Sequence, residues 1–223
     1  MMSGIRRHEL PAKVGLVDMT DVLTGIIDRF VTASAEFEWR LRSVRPGQWT
    51  SPTPCTEWNV RQLVNHMTRG NLSYVGLPTG GTGADFLRMR DVDALSGDPV
   101  IAYAASVREC ADAFGRPGAL QQLLDYPLGR VSGQQALAVR TTDTAIHAWE
   151  LARAVGVDDH LDPGLIAWID DNLEAIYAGL TETPVAAETT HRFFAAPACA
   201  LTDDASPQDR LLHRMGRNPQ RRV

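Results

Sequence analysis

The chain is poor in cysteine, carries no net positive charge and has no long hydrophobic run. Its three cysteines, Cys55, Cys110 and Cys199, are odd in number, far apart and form no CxxC pair. That argues against both a disulfide framework and a thiolate zinc site. Each is expected as a reduced thiol, and only Cys55, beside Pro54 and just before a helix start, is placed to lie near a metal or to react. No stretch approaches the roughly 20 apolar residues that cross a bilayer. Glu9, Lys13 and Asp18 interrupt any hydrophobic segment of signal-peptide length after Arg6 and Arg7, so a cytoplasmic protein is expected. With 22 Lys and Arg against 27 Asp and Glu, the net charge of −5 leaves no broad electrostatic footprint for nucleic acid. The basic cluster Arg214, Arg217, Arg221 and Arg222 reads as a solvated tail. There is no internal repeat, Gly-rich phosphate loop or GxSxG turn, and nucleotide binding and serine hydrolysis lack a basis.

What is present is helical periodicity. At 223 residues, 44% hydrophobic and 22% charged, the chain suits one well-buried domain with a terminal extension. Residues 1–17 lack a period and read as a flexible lead-in. Val22, Ile26, Phe30, Ala33, Phe37 and Leu41 recur at spacings of three and four, predicting a helix over 20–44. After the irregular segment QWTSPTPCTEW, Thr56 is the expected cap of a second helix lined by Val60, Leu63, Val64 and Met67, with His66 at the margin of that side. Residues 70–97 read as a long connection. A third helix over 99–114 is expected to place Ile101, Ala105, Val107 and Ala111 among its apolar positions. Pro127 and Gly129 make residues 120–131 a hairpin or loop rather than a central strand. A fourth helix spans about 133–155 with Gly156 as its cap, and a fifth opens at Asp162-Pro163. One short helix follows near 207–215.

Asp143 and His147 lie four residues apart in the fourth helix, about 40° apart around its axis, so their side chains project together. Joined by His66 from another helix, they would supply three ligands for zinc, nickel, iron or manganese and leave positions open for water or substrate. Ala136, Val139, Asp143, His147, Glu150 and Ala154 share one line of that helix, while Leu137, Ala148, Leu151 and Val155 form another. Periodicity does not decide which faces the core. If the first line faces solvent, Asp143 and His147 are a surface ion pair and Glu150 pairs with Arg153. If it faces inward, Glu150 can orient His147. Trp58 and Trp149 read as packing anchors. His160, His213 and His8 are expected in solvent or in terminal regions, and His191 is a weak candidate for the bundle mouth.

The segments TPCTEWNVRQLVNH and DTAIHAWELARAVG, with the ending SPQDRLLHRMGRNP, resemble the DinB-like metal-binding family that includes the N-terminal domain of mycothiol-dependent maleylpyruvate isomerase, closest to an actinobacterial subgroup. The resemblance runs from about Asp18 to the end of the chain. It implies an all-α fold: a four-helix bundle over 18–180 with a long crossover after the second helix, and a C-terminal extension over 181–223 that packs on the bundle and carries an extra helix. It carries the metal ligands over to His66, Asp143 and His147, Asp143 standing where the isomerase has Glu. The metal implied is divalent, zinc first with nickel, iron or manganese as alternatives. The chemistry implied is that of a metal-dependent S-transferase or isomerase in which a mycothiol-type thiol attacks a small electrophile. A non-catalytic, metal-stabilised binding or regulatory module is the alternative. Small-molecule thiol and electrophile are therefore the expected partners, with no nucleic acid and no membrane, and the long first and fifth helices allow a homodimer.

Overall fold

The computed structural model describes Leu23 and residues 25–56, 58–180 and 200–220. The lead-in expected over 1–17, Thr20, Val22, His8, His191 and Cys199 lie outside the described residues. The first helix, α1 (Ile26–Arg42), buries Ile26, Phe30, Ala33, Phe37 and Leu41, the stripe its spacing predicts. Helix α2 (Val60–Val75) starts three residues later than a Thr56 cap would place it. Asn59 is the cap, its side chain accepting from the Gln62 amide while Gln62 reaches back to the Asn59 amide. This reciprocal box satisfies two amide donors that the helix leaves unpaired. It also fixes the start of the helix that carries His66. Asn59→Ala is expected to cost about 1 kcal/mol and lower Tm by about 2–4 °C in a thermal melt.

The connection after α2 is not featureless. It folds into the short helix α3 (Gly83–Arg88), flanked by single 3-10 turns at Leu77–Thr79 and Met89–Asp91. Helix α4 (Pro99–Phe114) has the predicted limits and packs Val107 and Ala111 against the core as expected, but its fully buried side is made by Tyr103, Ser106, Cys110, Ala113 and Phe114. Ile101 is left 67% exposed. The antiparallel hairpin β1 (Leu123–Tyr126) and β2 (Gly129–Ser132) follows. It is fastened to α2 by a 2.9 Å hydrogen bond between the Tyr74 and Tyr126 hydroxyls. Ser132 then caps α5 (Gly133–Val155), which ends at Gly156 in the left-handed region.

Helices α1, α2, α4 and α5 form the bundle, α1 lying along α5 and α2 along α4. Helix α6 (Pro163–Tyr177) begins at an Asp162 cap with Pro163 in its first turn and packs on α5, and α7 (Pro207–Arg214) packs on α6. Apart from the two-stranded hairpin the described chain is mostly helical, in agreement with the all-α expectation. Enclosed by α1, α2 and α6, α5 buries side chains on nearly every side, which is why its two lines could not be ranked from the sequence. Thr141, Thr142 and Thr144 are buried there with their hydroxyls returned to the carbonyls four residues earlier, at 2.8, 3.0 and 2.8 Å, so no buried hydroxyl among them goes unmet. No helix among the described residues is long and apolar enough to cross a membrane.

Candidate metal centre

His66 on α2 and Asp143 and His147 on α5 meet at one place in the bundle. Each offers one ligand atom, and these atoms all lie within 4.8 Å of one another. His66 Nε2 is 3.5 Å from Asp143 Oδ2, and His147 Nε2 is 3.2 Å from Asp143 Oδ1. The two imidazole rings meet edge to face with centroids 5.0 Å apart. The surface-pair alternative does not hold for His147, which is 3% exposed. The Asp143 side chain keeps 34% of its surface, so solvent reaches the cluster on the carboxylate side.

Two features suit the cluster to a cation. His66 Nε2 is buried and has no hydrogen-bond partner among the described residues, although such an atom ordinarily finds one. His147 is held from behind: its Nδ1 lies 2.5 Å from Glu150 Oε2, which leaves Nε2 as the nitrogen directed at Asp143. A carboxylate on the far nitrogen is how metal-binding histidines are commonly oriented. Glu150 itself is fully buried and receives the Arg217 Nε–H at 2.9 Å. Arg153, the partner Glu150 would have on a solvated face, binds Asp159 instead, at 3.0 Å.

Burial pushes the His66 imidazole down to about 4, outweighing the pull of Asp143, so this ring is neutral and can offer a lone pair. Burial opposes charge on His147 too, but the carboxylates of Asp143 and Glu150 prevail and push it up to about 9. Against the cost of its own burial, the Asp143 carboxyl is held well below the ordinary carboxylate range by His147 and His66. The cluster thus brings one neutral imidazole and one firmly ionised carboxylate, with the second imidazole clamped between two carboxylates.

Further residues surround the site that sequence reasoning had not assigned to it. Trp58 stacks on His66 with centroids 4.3 Å apart and covers that ring, more than a remote packing anchor. Its segment is shaped by the Thr53 hydroxyl, which lies within hydrogen-bond reach of the Cys55 and Trp58 carbonyls at 2.9 and 2.8 Å. Arg140, one turn before Asp143, is buried, and its Nη1 donates to Asp143 Oδ2 at 2.7 Å. The i, i+3 spacing of Arg140 and Asp143 was a legible signal for that contact. Nothing in the sequence pointed Arg217 at Glu150, 67 residues away. Cys55 is half-buried and is not one of the clustered ligands, and the Cys110 thiol is pushed up to about 12 by burial. Asp158, Asp159 and His160 form a second, largely exposed group, as expected for a solvated connection.

Residues 30–152, just over half of the chain, match the family described as the mycothiol maleylpyruvate isomerase N-terminal domain. Two uncharacterised proteins, from two strains of Mycobacterium tuberculosis, are each 35% identical to the chain over 133 residues, which is 60% of this chain and 69% of theirs. No solved structure matches it significantly.

Proposed function

Because this chain belongs to the mycothiol maleylpyruvate isomerase N-terminal domain family, we propose that it holds one divalent cation on His66, Asp143 and His147 and uses it to bind a low-molecular-weight thiol that attacks a small electrophile. The observation that carries the metal half is the buried, unpartnered Nε2 of His66 beside Asp143 and His147. The thiol half rests on the family's mycothiol-dependent chemistry. A divalent cation bound there would favour thiolate over thiol and raise the population of the nucleophile near neutral pH. Zinc suits two imidazoles and one carboxylate, and nickel, iron or manganese would accept the same donors.

In this reading the chain's own residues position and shield. Glu150 fixes which nitrogen of His147 faces the site, Arg140 holds the Asp143 carboxylate, and Trp58 covers the outer face of His66. The partly exposed Asp143 marks the side from which thiol and electrophile enter. The step is an addition: the thiol sulfur forms a carbon–sulfur bond to one carbon of an electrophilic double bond, the π bond breaks, and its electron pair takes up the proton that the thiol gives up.

The test is elemental analysis of untagged protein followed by a thiol-consumption assay with a panel of electrophiles. About one divalent metal per chain is expected, with mycothiol or a related thiol consumed only by metal-loaded protein. Absence of metal overturns the reading. A family match that ends at residue 152 and describes an N-terminal domain alone favours a second reading, a metal-stabilised binding or regulatory module. In that case chelation lowers Tm while no electrophile in the panel is turned over.

A further inference from the structure

The C-terminal segment reaches the candidate metal centre through one side chain. Helix α7 buries Leu211 and Leu212, and Met215 after it is buried as well. The helix then ends in a tight reversal. The Gly216 amide donates to the His213 carbonyl and the Arg217 amide to the Leu212 carbonyl, both at 2.9 Å, with Gly216 at φ 72°. That pair of bonds is a Schellman closure, and only glycine adopts the left-handed step without a penalty. It fixes the Arg217 backbone. The side chain is fixed as well: Nη1 donates to the Met215 carbonyl and Nε to Glu150 Oε1, both at 2.9 Å.

We propose that Arg217 is a positioning residue of the metal centre, locking Glu150 so that Glu150 in turn locks His147, and that the 200–220 segment is therefore part of the site. Glu150 is fully buried and has two engaged oxygens, one on Arg217 and one on His147 Nδ1. With Arg217 gone, one oxygen loses its partner and the carboxylate is free to rotate away from the imidazole. The ring would then no longer be restricted to presenting Nε2 to Asp143 and His66. Linkage is reciprocal: if the Arg217–Glu150 contact tightens cation binding, cation binding tightens that contact by the same factor. The inference rests on the metal reading given above.

Two variants separate positioning from docking. Gln208 holds the same segment in place from the other end, accepting from the Leu161 amide at 2.8 Å and donating to the Asp159 carbonyl at 3.0 Å, whereas the Glu150 oxygens are engaged by His147 and Arg217. In chelator competition with zinc, Arg217→Ala is expected to bind about 10–100-fold more weakly than wild type. The ligand-field bands of its cobalt-substituted form should shift. Gln208→Ala should lower Tm yet keep wild-type affinity and bands. Arg217→Ala with unchanged affinity and spectrum overturns this inference alone, as does an equal loss of affinity in Gln208→Ala. Wild-type protein that takes up no zinc or cobalt overturns the metal reading and this inference with it. Should Arg217→Ala fail to fold, Arg217→Lys keeps a cation beside Glu150 but not the two-point fixation, so a loss of about tenfold is expected, and wild-type affinity overturns the proposal.

Discussion

His147→Ala is expected to abolish the proposed metal binding, weakening zinc affinity at least about a hundredfold. A four-ligand structural zinc site binds with about 10–16 kcal/mol, roughly 3 kcal/mol per ligand, and 3 kcal/mol is about two orders of magnitude. The variant should also be less stable without metal, because Glu150 is fully buried and loses the imidazole that engages its Oε2. His66→Ala should separate the two effects. Its Nε2 has no hydrogen bond to lose and its ring is neutral, so metal is lost while the metal-free Tm falls by no more than about 1 kcal/mol allows, roughly 2–4 °C. Elemental analysis, chelator competition and thermal melts of metal-free protein report the three quantities. Full metal content in His147→Ala would remove the site from this part of the bundle.

Most helix limits were readable because their signals are local. Pro99, Gly156 and the Asp162-Pro163 pair stand where the chain must enter or leave a helix, and the start of α4, the end of α5 and the start of α6 fall there. The cap of α2 was misplaced because Thr56 and Asn59 are both acceptable caps, and only Asn59 is followed three residues later by a Gln that completes the box. On α4 the expected Val107 and Ala111 do face the core, and Ile101 was misjudged for a different reason. Much of the inner side is built from Tyr103, Ser106 and Cys110, whose side chains are partly polar, while the strongly hydrophobic Ile101 lies outside. The three clustered side chains were legible as a pair at i, i+4 plus one histidine whose meeting place only the tertiary fold supplies. In the basic tail Arg217 misled most, since it joins the buried Glu150, whereas Arg214 stays exposed and joins Asp170 at the surface, and Arg221 and Arg222 lie outside the described residues. Both pairings depend on where α7 docks, which no spacing along the chain encodes.

Arg140→Met is expected to be the most damaging change to the fold near the site, at about 3 kcal/mol or roughly 6–12 °C in Tm. The guanidinium joins three groups at once. Its Nε donates to Asn71 Oδ1 at 2.8 Å, Nη2 to the Met67 carbonyl at 2.6 Å and Nη1 to Asp143 at 2.7 Å, while Asn71 passes the network on to Ser106 of α4 at 3.0 Å. Methionine has nearly the reach to fill the channel but no donor, so the Asn71 side-chain oxygen is left buried and unmet, while the Met67 carbonyl keeps only its bond within the helix. Gly70 makes the prediction sharper. A Cβ there would stand 2.7 Å from Arg140 Nη1 and 2.9 Å from its Cζ, and the guanidinium, tied on its other sides, has nowhere to swing. Gly70→Ala alone should therefore destabilise, even though alanine favours a helix interior by about 1 kcal/mol. In the Arg140→Met background the obstructing atoms are gone and the same substitution should become neutral or stabilising by up to about 1 kcal/mol. Urea unfolding of the two single variants and the double variant measures the reversal. Equal destabilisation by Gly70→Ala in both backgrounds would mean that the guanidinium does not lie against the α2 backbone at Gly70.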